Sequence, residues 1–173
     1  MEEWNDVYDE NRSRTGKLHR RGDPWEPGEY GLVVCVWVYD GKGNFLLTRR
    51  AREKSYAGTW ENSGGAAKAG EESLEAIRRE LWEETGIPSR PEEFEKIGSG
   101  QDDTAFYDFY CIRKETPLEE ICLLPGETDD VMWAGYERVH AMIERGEICR
   151  IIGNQFLQDE KQLRLRNMSN NGA

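Results

Sequence analysis

Apolar runs along the chain predict a sheet that is covered on both faces. The strongest run, at 32–39, is apolar without alternation, so we expect a strand whose two faces are both buried. Turn residues at 40–44 separate it from a shorter apolar run at 45–48, which is predicted as its hairpin partner. A strand buried on both faces needs a packing layer on each side, and helices are the expected layers. The patterning therefore predicts the α/β class.

Shorter elements are predicted on both sides of this pair of strands. The polar segment 1–30 is expected to form an N-terminal hairpin extension. Further strands are predicted at 94–98, 105–112, 121–124 and 131–134. Helices are predicted at 136–145 and about 154–165, followed by a flexible tail at 166–173.

The segment 65–87, GAAKAGEESLEAIRRELWEETGI, combines helical periodicity with a concentration of glutamates. At about 100° per residue, Glu83 lies roughly 60° to one side of Glu80 and Glu84 roughly 40° to the other. Three carboxylates therefore share one narrow face. An apolar stripe about 100° round the helix is expected to anchor it on the core and consists of Leu74, Ile77 and Leu81.

Clustered carboxylates on one helix face indicate a site for divalent cations. Like charges three and four residues apart destabilise a helix by a few tenths of a kcal/mol per pair, and a bound cation removes that cost. Hard cations such as Mg²⁺ and Mn²⁺ prefer carboxylate oxygens and bridge them to phosphates. We therefore expect a metal and phosphate site on this helix. The alternative is a solvated acidic helix that is stabilised by ion pairs between residues four apart.

Composition narrows the class of partner. The 173 residues carry a net charge of −11 with a pI near 4.8, which argues against a broad nucleic-acid-binding surface. Small phosphorylated substrates stay compatible, because metal ions reverse the local sign of the field. No apolar run reaches the length of a membrane span and the first residues are too acidic for a signal peptide, so we expect a cytoplasmic protein without a membrane partner. Four cysteines without CxxC spacing are expected to be reduced core residues: Cys35, Cys111, Cys122 and Cys149.

The order of residues in 65–87 resembles the signature of the Nudix hydrolase superfamily. Gly65 is followed after five residues by Glu71, and after seven more by the run RELWEETGI at 79–87. The resemblance implies a Nudix α/β/α sandwich with a mixed β-sheet between helices, built from a single domain over 1–173 with the Nudix box at 65–87. It also implies a pyrophosphatase reaction, in which water attacks phosphorus in a nucleoside diphosphate linked to another moiety or in a related organic diphosphate.

The resemblance also assigns roles within the box. Glu80, Glu83 and Glu84 correspond to the metal ligands, with Glu71 as a weaker or supporting ligand, and the implied cofactor is Mg²⁺ or Mn²⁺. Arg79 would orient the glutamates through charge-assisted hydrogen bonds. The implied catalytic residues in the box are Glu83, Glu84 and Arg79.

Two loops outside the box carry further candidates. Glu127 stands in the turn PGETDD, where a carboxylate can approach the box helix from a separate loop and serve as a base or an additional ligand. A solvated acidic turn is the equally weighted alternative for Glu127. Basic side chains upstream of the box are candidates for substrate phosphate binding, with ordinary solvent exposure as the alternative: Arg50, Arg52 and Lys54.

Segments outside the box are similar to the branch that contains isopentenyl-diphosphate isomerase, namely 3–10, 43–51 and 60–63. In that enzyme a cysteine and a glutamate perform the reaction and histidines largely hold the metal. The cysteine position falls here on Gly65, and two metal-histidine positions fall on Ala67 and about Gly31. The resemblance therefore implies an isomerase-like scaffold that carries a hydrolase site. Isomerase activity and a non-catalytic nucleotide-binding module stay open as alternatives. The diphosphate substrate and a homodimer are left undecided by the sequence.

Overall fold

The structure, a computed structural model, describes residues 2–168, which form strands, helices and two short 3₁₀ turns. The strands in this range are β1 (Trp4–Tyr8), β2 (Arg14–Arg20), β3 (Gly31–Tyr39), β4 (Asn44–Arg50), β5 (Trp60–Glu61), β6 (Ser63–Ala66), β7 (Glu95–Gln101), β8 (Ala105–Arg113) and β9 (Thr128–Gly135). The helices are α1 (Ser73–Thr85), α2 (Tyr136–Glu144) and α3 (Arg150–Met168). Short 3₁₀ turns occupy Pro91–Glu93 and Leu118–Glu120. Within residues 2–168, no helix is long and apolar enough to span a bilayer.

The central sheet is mixed, as the family resemblance implies. Its path runs β5-β4-β3-β8-β7, with β6 paired to β3 and β9 paired to β4. β3 and β8 are parallel along their whole length, from Gly31 opposite Ala105 to Tyr39 opposite Arg113, and the other pairings are antiparallel. The β3 edge that faces away from β8 carries β6, so the Nudix box begins on a strand that pairs with β3.

Helices cover both faces of this sheet, and the expected α/β/α sandwich is confirmed. Side chains of β3 alternate between two cores, which explains why the strand is apolar without alternation. The core on the α1 side contains Val34, Val36, Val38, Ile77 and Leu81. The core on the side of α2 and α3 contains Cys35, Trp37, Val139, Met142 and Phe156.

The N-terminal hairpin forms as predicted and makes a separate two-stranded sheet of β1 and β2. Reciprocal backbone hydrogen bonds between Tyr8 and Tyr30, at 2.8 and 3.0 Å, hold it against the start of β3. The buried Asn5 side chain donates to the carbonyl of Ala67 at 2.7 Å and fixes the hairpin beside the Nudix box. The end of the hairpin therefore lies next to the box.

Three predictions of elements and burial were wrong. Segment 121–124 is not a strand: it follows the 3₁₀ turn at Leu118–Glu120, and the Cys122 amide donates to the carbonyl of Thr85 at the end of α1. The predicted tail begins too early, since Arg166 pairs with Glu95 and buried Asn167 continues α3 to Met168. Residues 169–173 of that predicted tail lie outside the described part. Cysteines 35 and 111 are buried core residues, whereas cysteine 122 is exposed.

Candidate active site

A cleft of about 200 Å³ lies between the box, the end of the hairpin and the loops that flank β4 and β9. Its lining is dominated by charge. The carboxylates in it are Glu3, Glu61, Glu80, Glu83, Glu84 and Glu127, and the cationic side chains are Arg21, Arg50, Lys54 and Arg79. The three glutamates predicted to share one face of the helix therefore face a single cavity.

Helix α1 is fixed at both ends, which sets the direction of its acidic face. At its start, the Glu72 side chain accepts from the backbone of Glu75, and the Glu75 side chain accepts from the Glu72 amide at 3.0 Å in a capping box. At its end, Gly86 adopts a left-handed conformation with φ 69°, which glycine takes without steric cost. Ile77 and Leu81 are fully buried against the sheet, so the carboxylates are turned towards the cleft.

Glu84 is the most deeply buried carboxylate of the cleft, with 7% of its surface exposed. Its carboxylate accepts a hydrogen bond from the amide of Gly64 at 3.3 Å. Burial raises the pKa of Glu84 well above its ordinary value, and the nearby charges of Glu61 and Glu80 raise it further. This side chain therefore stands among like charges, in surroundings that favour a bound cation.

Arg79 ties the box carboxylates together. Its guanidinium donates to both oxygens of Glu71 at 2.7 and 2.8 Å, to Glu80 at 2.7 Å and to Glu83 at 3.0 Å. It also donates to the carbonyl of Ala66 in β6 at 3.1 Å. The fork of the guanidinium thus fixes the helix carboxylates against the neighbouring strand. Glu71 does not line the cleft and meets it through Arg79.

Glycines in β6 make room for these carboxylates. A Cβ on Gly65 would lie 2.5 Å from the carboxylate carbon of Glu80, and one on Gly64 would lie 2.3 Å from the carbonyl oxygen of Val34. A Cβ on Gly64 would require movement of the backbone, and one on Gly65 would displace the Glu80 carboxylate from its position. Gly65 belongs to a strand rather than to a loop, and its requirement is close approach.

The three candidate phosphate-binding cations differ in position. The Arg50 guanidinium donates to both oxygens of Glu61 at 2.7 and 2.8 Å, and Lys54 forms an ion pair with Glu127. Both cations line the cleft, whereas Arg52 is exposed and does not line it. The ion pair places the candidate base Glu127 on the rim of the cavity that Glu83 and Glu84 also line.

Sequence reasoning missed three charged residues of the cleft. Glu61 is a partly buried carboxylate whose pKa is raised by burial, although Arg50 opposes that rise. Arg21 and Glu3 come from the hairpin and form an ion pair at the mouth of the cleft. The segment WENS around Glu61 was a visible signal, because it contributes to the resemblance outside the box. No local pattern pointed to Arg21 or Glu3.

The donor set fits a hard divalent cation, although the side chains are arranged around Arg79 rather than around a metal. In residues 2–168, no group of three or more histidine, cysteine, aspartate or glutamate side chains has a geometry that could hold a metal ion. Arg79 accounts for this arrangement, because it draws oxygens of Glu80 and Glu83 to itself. The chemistry of the donors is nevertheless that of a Mg²⁺ or Mn²⁺ site, since carboxylates predominate and Glu84 is buried among them.

Comparison with known proteins identifies the family. The profile of the NUDIX domain matches residues 29–149, which include the central strand, the box and the loop of Glu127. The chain belongs to the Nudix family. An uncharacterized Nudix hydrolase of Listeria monocytogenes is 34% identical over 149 residues, which are 85% of this chain and 88% of that protein. The enzyme class predicted from the sequence, a Nudix hydrolase, is thereby confirmed.

The similarity to the isomerase branch is partial. An isopentenyl-diphosphate Delta-isomerase of Pectobacterium atrosepticum is 35% identical over 83 residues, 47% of this Nudix chain and 46% of that enzyme. This match covers too little of either protein to place the chain in that branch.

Solved structures share the Nudix fold. A Deinococcus radiodurans protein superposes with a TM-score of 0.71 at 24% identity and covers 85% of this chain and 92% of its own. A bifunctional NMN adenylyltransferase/ADP ribose pyrophosphatase of Francisella tularensis, complexed with AMP and a manganese ion, gives 0.64 at 18% identity over 81% of this chain and 43% of its own. At these identities the likeness establishes the fold alone.

Proposed function

We propose that this Nudix hydrolase cleaves a nucleoside diphosphate linked to another moiety, or a related organic diphosphate, in a reaction that depends on Mg²⁺ or Mn²⁺ and proceeds by water attack on phosphorus. One observation carries the proposal: Glu80, Glu83 and Glu84 line the same cleft as Arg50 and Lys54. Carboxylates in such a cleft bind cations, and the cationic side chains bind phosphate oxygens. A diphosphate with its metal ions matches both sets of charges.

Glu80, Glu83 and Glu84 would hold the metal, with Glu71 supporting them through its two hydrogen bonds to Arg79. A bound divalent cation polarises phosphoryl oxygens and lowers the pKa of the attacking water. Arg79 keeps Glu80 and Glu83 oriented towards the cleft, because its remaining donors are anchored on Glu71 and on the carbonyl of Ala66.

Glu127 and Lys54 form the part of the site that changes when substrate arrives. Their ion pair joins the loop after β4 to the turn before β9, and the amide of Ala51 donates to the carbonyl of Glu127 at 3.0 Å across the same gap. A substrate phosphate competes with Glu127 for Lys54. The released carboxylate then faces the cleft and can accept the proton of the attacking water.

This chain lacks the reactive groups that isomerase activity would require. Gly65 and Ala67 stand where the resemblance places a cysteine and a histidine, and the space in front of Gly31 is filled by a ring. A Cβ on Gly31 would lie 2.9 Å from Cζ2 of Trp25. The chain therefore resembles the isomerase branch in its scaffold and favours hydrolysis in its site.

A substrate panel tests the proposed function against both alternatives. Purified protein with Mg²⁺ or Mn²⁺ is assayed against nucleoside diphosphates, nucleotide sugars, dinucleotides and isopentenyl diphosphate, with Glu83→Gln as the matched inactive control. We expect metal-dependent hydrolysis of at least one compound and no dimethylallyl diphosphate from isopentenyl diphosphate. Isomerisation by the pure protein would support the isomerase, and binding of nucleotides without turnover would support the non-catalytic module.

A further inference from the structure

The N-terminal hairpin is bonded to the loop that joins β6 to helix α1. The amide of Ala69 donates to the carbonyl of Trp4 at 2.8 Å, and the amide of Gly70 donates to the Asp6 carboxylate at 2.9 Å. Asn5, which lies between these two hairpin residues, donates to the same loop. Three successive residues of β1 therefore hold the segment that leads into the acidic helix.

Arg14 in β2 adds a charged connection at the start of α1. Its guanidinium donates to the backbone carbonyl of Glu71 at 2.5 Å and to the carboxylate of Glu72, the N-cap residue of α1, at 2.8 Å. Nε of Arg14 lies 3.1 Å from the Asp6 carboxylate and donates to the Tyr8 hydroxyl at 3.2 Å, which fixes the orientation of the guanidinium. The planar fork of the arginine thus holds the Glu71 peptide and the first turn of the helix together.

Two residues connect Arg14 to the proposed metal ligands. Glu71 is held at its backbone by Arg14, and its two carboxylate oxygens accept from Arg79 at 2.7 and 2.8 Å. Arg79 in turn donates to Glu80 at 2.7 Å and to Glu83 at 3.0 Å. A displacement of the Glu71 backbone would therefore move Arg79 and, with it, two of the proposed ligands.

Arg14 contributes to the geometry of the site more than to the stability of the fold. Its side chain is 37% exposed and that of Glu72 is 73% exposed, so their ion pair is screened by solvent and adds little stability. The bond to the Glu71 carbonyl has a different effect, because a binding site requires its supporting groups to be placed within about 0.5 Å. Loss of Arg14 therefore affects the metal site more than the fold.

We propose that Arg14 is a positioning residue of the metal site, which makes the hairpin a part of the active site. The inference rests on the proposed function for the identity of the metal ligands. Replacement of a residue that directly supports a metal ligand typically lowers metal affinity about 10- to 100-fold. Arg14 lies two residues further from the ligands than Arg79, so a smaller effect, of about fivefold, is expected.

Binding of Mn²⁺, followed by electron paramagnetic resonance of the free ion, tests this role without turnover. Wild type, Arg14→Met and Arg14→Lys are compared at a temperature at which all three are folded. Arg14→Met should raise the Kd for Mn²⁺ about fivefold. Arg14→Lys keeps the charge and a donor for the Glu71 carbonyl without the planar fork, and it should recover part of this loss.

The direction of the change separates positioning from long-range electrostatics. Removal of a positive charge by itself makes the field of the protein more favourable for a cation and should lower the Kd. Lys17→Met is the matched control, because Lys17 in the same strand pairs with Glu29. Its Kd should stay the same or fall slightly, whereas the Kd of Arg14→Met should rise.

A double-mutant cycle with Glu71→Gln tests whether Arg14 acts through Glu71. In the Glu71→Gln background, Arg14→Met should change the Kd by less than about twofold. This pattern of Mn²⁺ binding supports the positioning role even if no compound is hydrolysed, which would refute only the proposed function. An unchanged or lower Kd in Arg14→Met, an equal loss in Lys17→Met, additive losses in the cycle, or no Mn²⁺ binding by the wild type would overturn the proposal.

Discussion

At the scale of single residues, the cleft is organised by one arginine and one buried glutamate. Arg79 offers its donors to Glu71, Glu80 and Glu83, while Glu84 is held by the amide of Gly64 next to other carboxylates. The carboxylates around Arg79 have hydrogen-bond partners without a metal ion. The arrangement of Glu84 is costly without a cation, because the burial of a charge among like charges is unfavourable. The proposed metal ligand Glu84 is therefore also a position of unfavourable electrostatics in the metal-free protein.

Replacement of Glu84 should lower activity without lowering the stability of the fold. Glu84→Gln removes a proposed metal ligand and also removes electrostatic repulsion, so we expect kcat to fall about 100-fold or more while the free energy of unfolding stays the same or rises. Steady-state kinetics with Mg²⁺ and urea unfolding provide the two readouts. Glu144→Gln, at an exposed position of α2, is the control that should alter neither quantity. A variant that keeps near-native turnover would remove Glu84 from the site.

Glu127 should act on the chemical step. If its carboxylate accepts the proton of the attacking water, Glu127→Gln lowers kcat strongly with little change in KM. Asp129→Asn in the same turn is the matched control, because Asp129 pairs with Arg49 and does not line the cleft. A rise in KM at constant kcat would instead assign Glu127 to substrate binding, and no effect would leave it as a solvated turn residue.

At the scale of elements, the hairpin, α1 and the sheet meet at Asp108 in β8. Its side chain is 1% exposed and accepts from Arg12 in the hairpin turn at 2.5 Å, from Ser73 in α1 at 2.6 Å and from Lys96 in β7 at 2.6 Å. Burial alone would raise the pKa of Asp108, but these hydrogen bonds lower it to about 2. One ionised carboxylate thus joins three elements that support the cleft.

The buried, ionised carboxylate of Asp108 predicts that the stability of the fold depends on pH. The folded-state pKa lies below the ordinary value of 3.8, so ionised Asp108 stabilises the fold above about pH 4, and this stabilisation is lost as the pH falls towards 2. The shift corresponds to about 2 kcal/mol. Asp108→Asn should therefore lower the free energy of unfolding at pH 7 by about 2 kcal/mol or more, and the difference from wild type should shrink between pH 4 and pH 2. Urea unfolding at several pH values measures this, and a difference that is constant with pH would contradict it.

The elements also show what a single sequence can predict. The acidic face and the buried stripe of α1 follow from the period of a helix, and both are present in Glu80, Glu84, Ile77 and Leu81. The predicted strand at 121–124 fails because the segment bonds to the end of α1 through the Cys122 amide, a tertiary contact that local apolarity does not report. Glu61, Arg21 and Glu3 were missed because only tertiary packing brings them to the box. Local periodicity thus predicts the box helix and misses the contributions of separate segments.

At the scale of the whole molecule, the proposed reaction requires an acidic protein to bind an anionic substrate in an acidic cleft. The net charge of −11 would repel a diphosphate, and metal ions would reverse the local field. The sandwich makes this possible, since both faces of β3 are covered and the cleft is left at the end where β6, the hairpin and two loops converge. Binding of substrate and binding of metal should therefore be coupled.

A bound metal ion should stabilise the folded protein as well as support its turnover. Mg²⁺ or Mn²⁺ relieves repulsion in the folded state only, so saturating metal should raise Tm by a few degrees, and EDTA should reverse the change and abolish turnover. Differential scanning calorimetry with and without metal checks this. The variant that combines Glu83→Gln with Glu84→Gln is the control, and its Tm should not respond. An equal response of both proteins would place the metal elsewhere.

Hydrolysis in ¹⁸O-labelled water tests the central claim most directly. The best substrate of the panel is turned over in labelled water with Mg²⁺, and the products are examined by ³¹P NMR and mass spectrometry. If water attacks phosphorus in this cleft, one labelled oxygen enters a phosphate product at each turnover, and the reaction stops in EDTA and in Glu84→Gln. Label in the non-phosphate product, or turnover that persists in EDTA, would contradict a metal-dependent attack on phosphorus by the residues of the Nudix box.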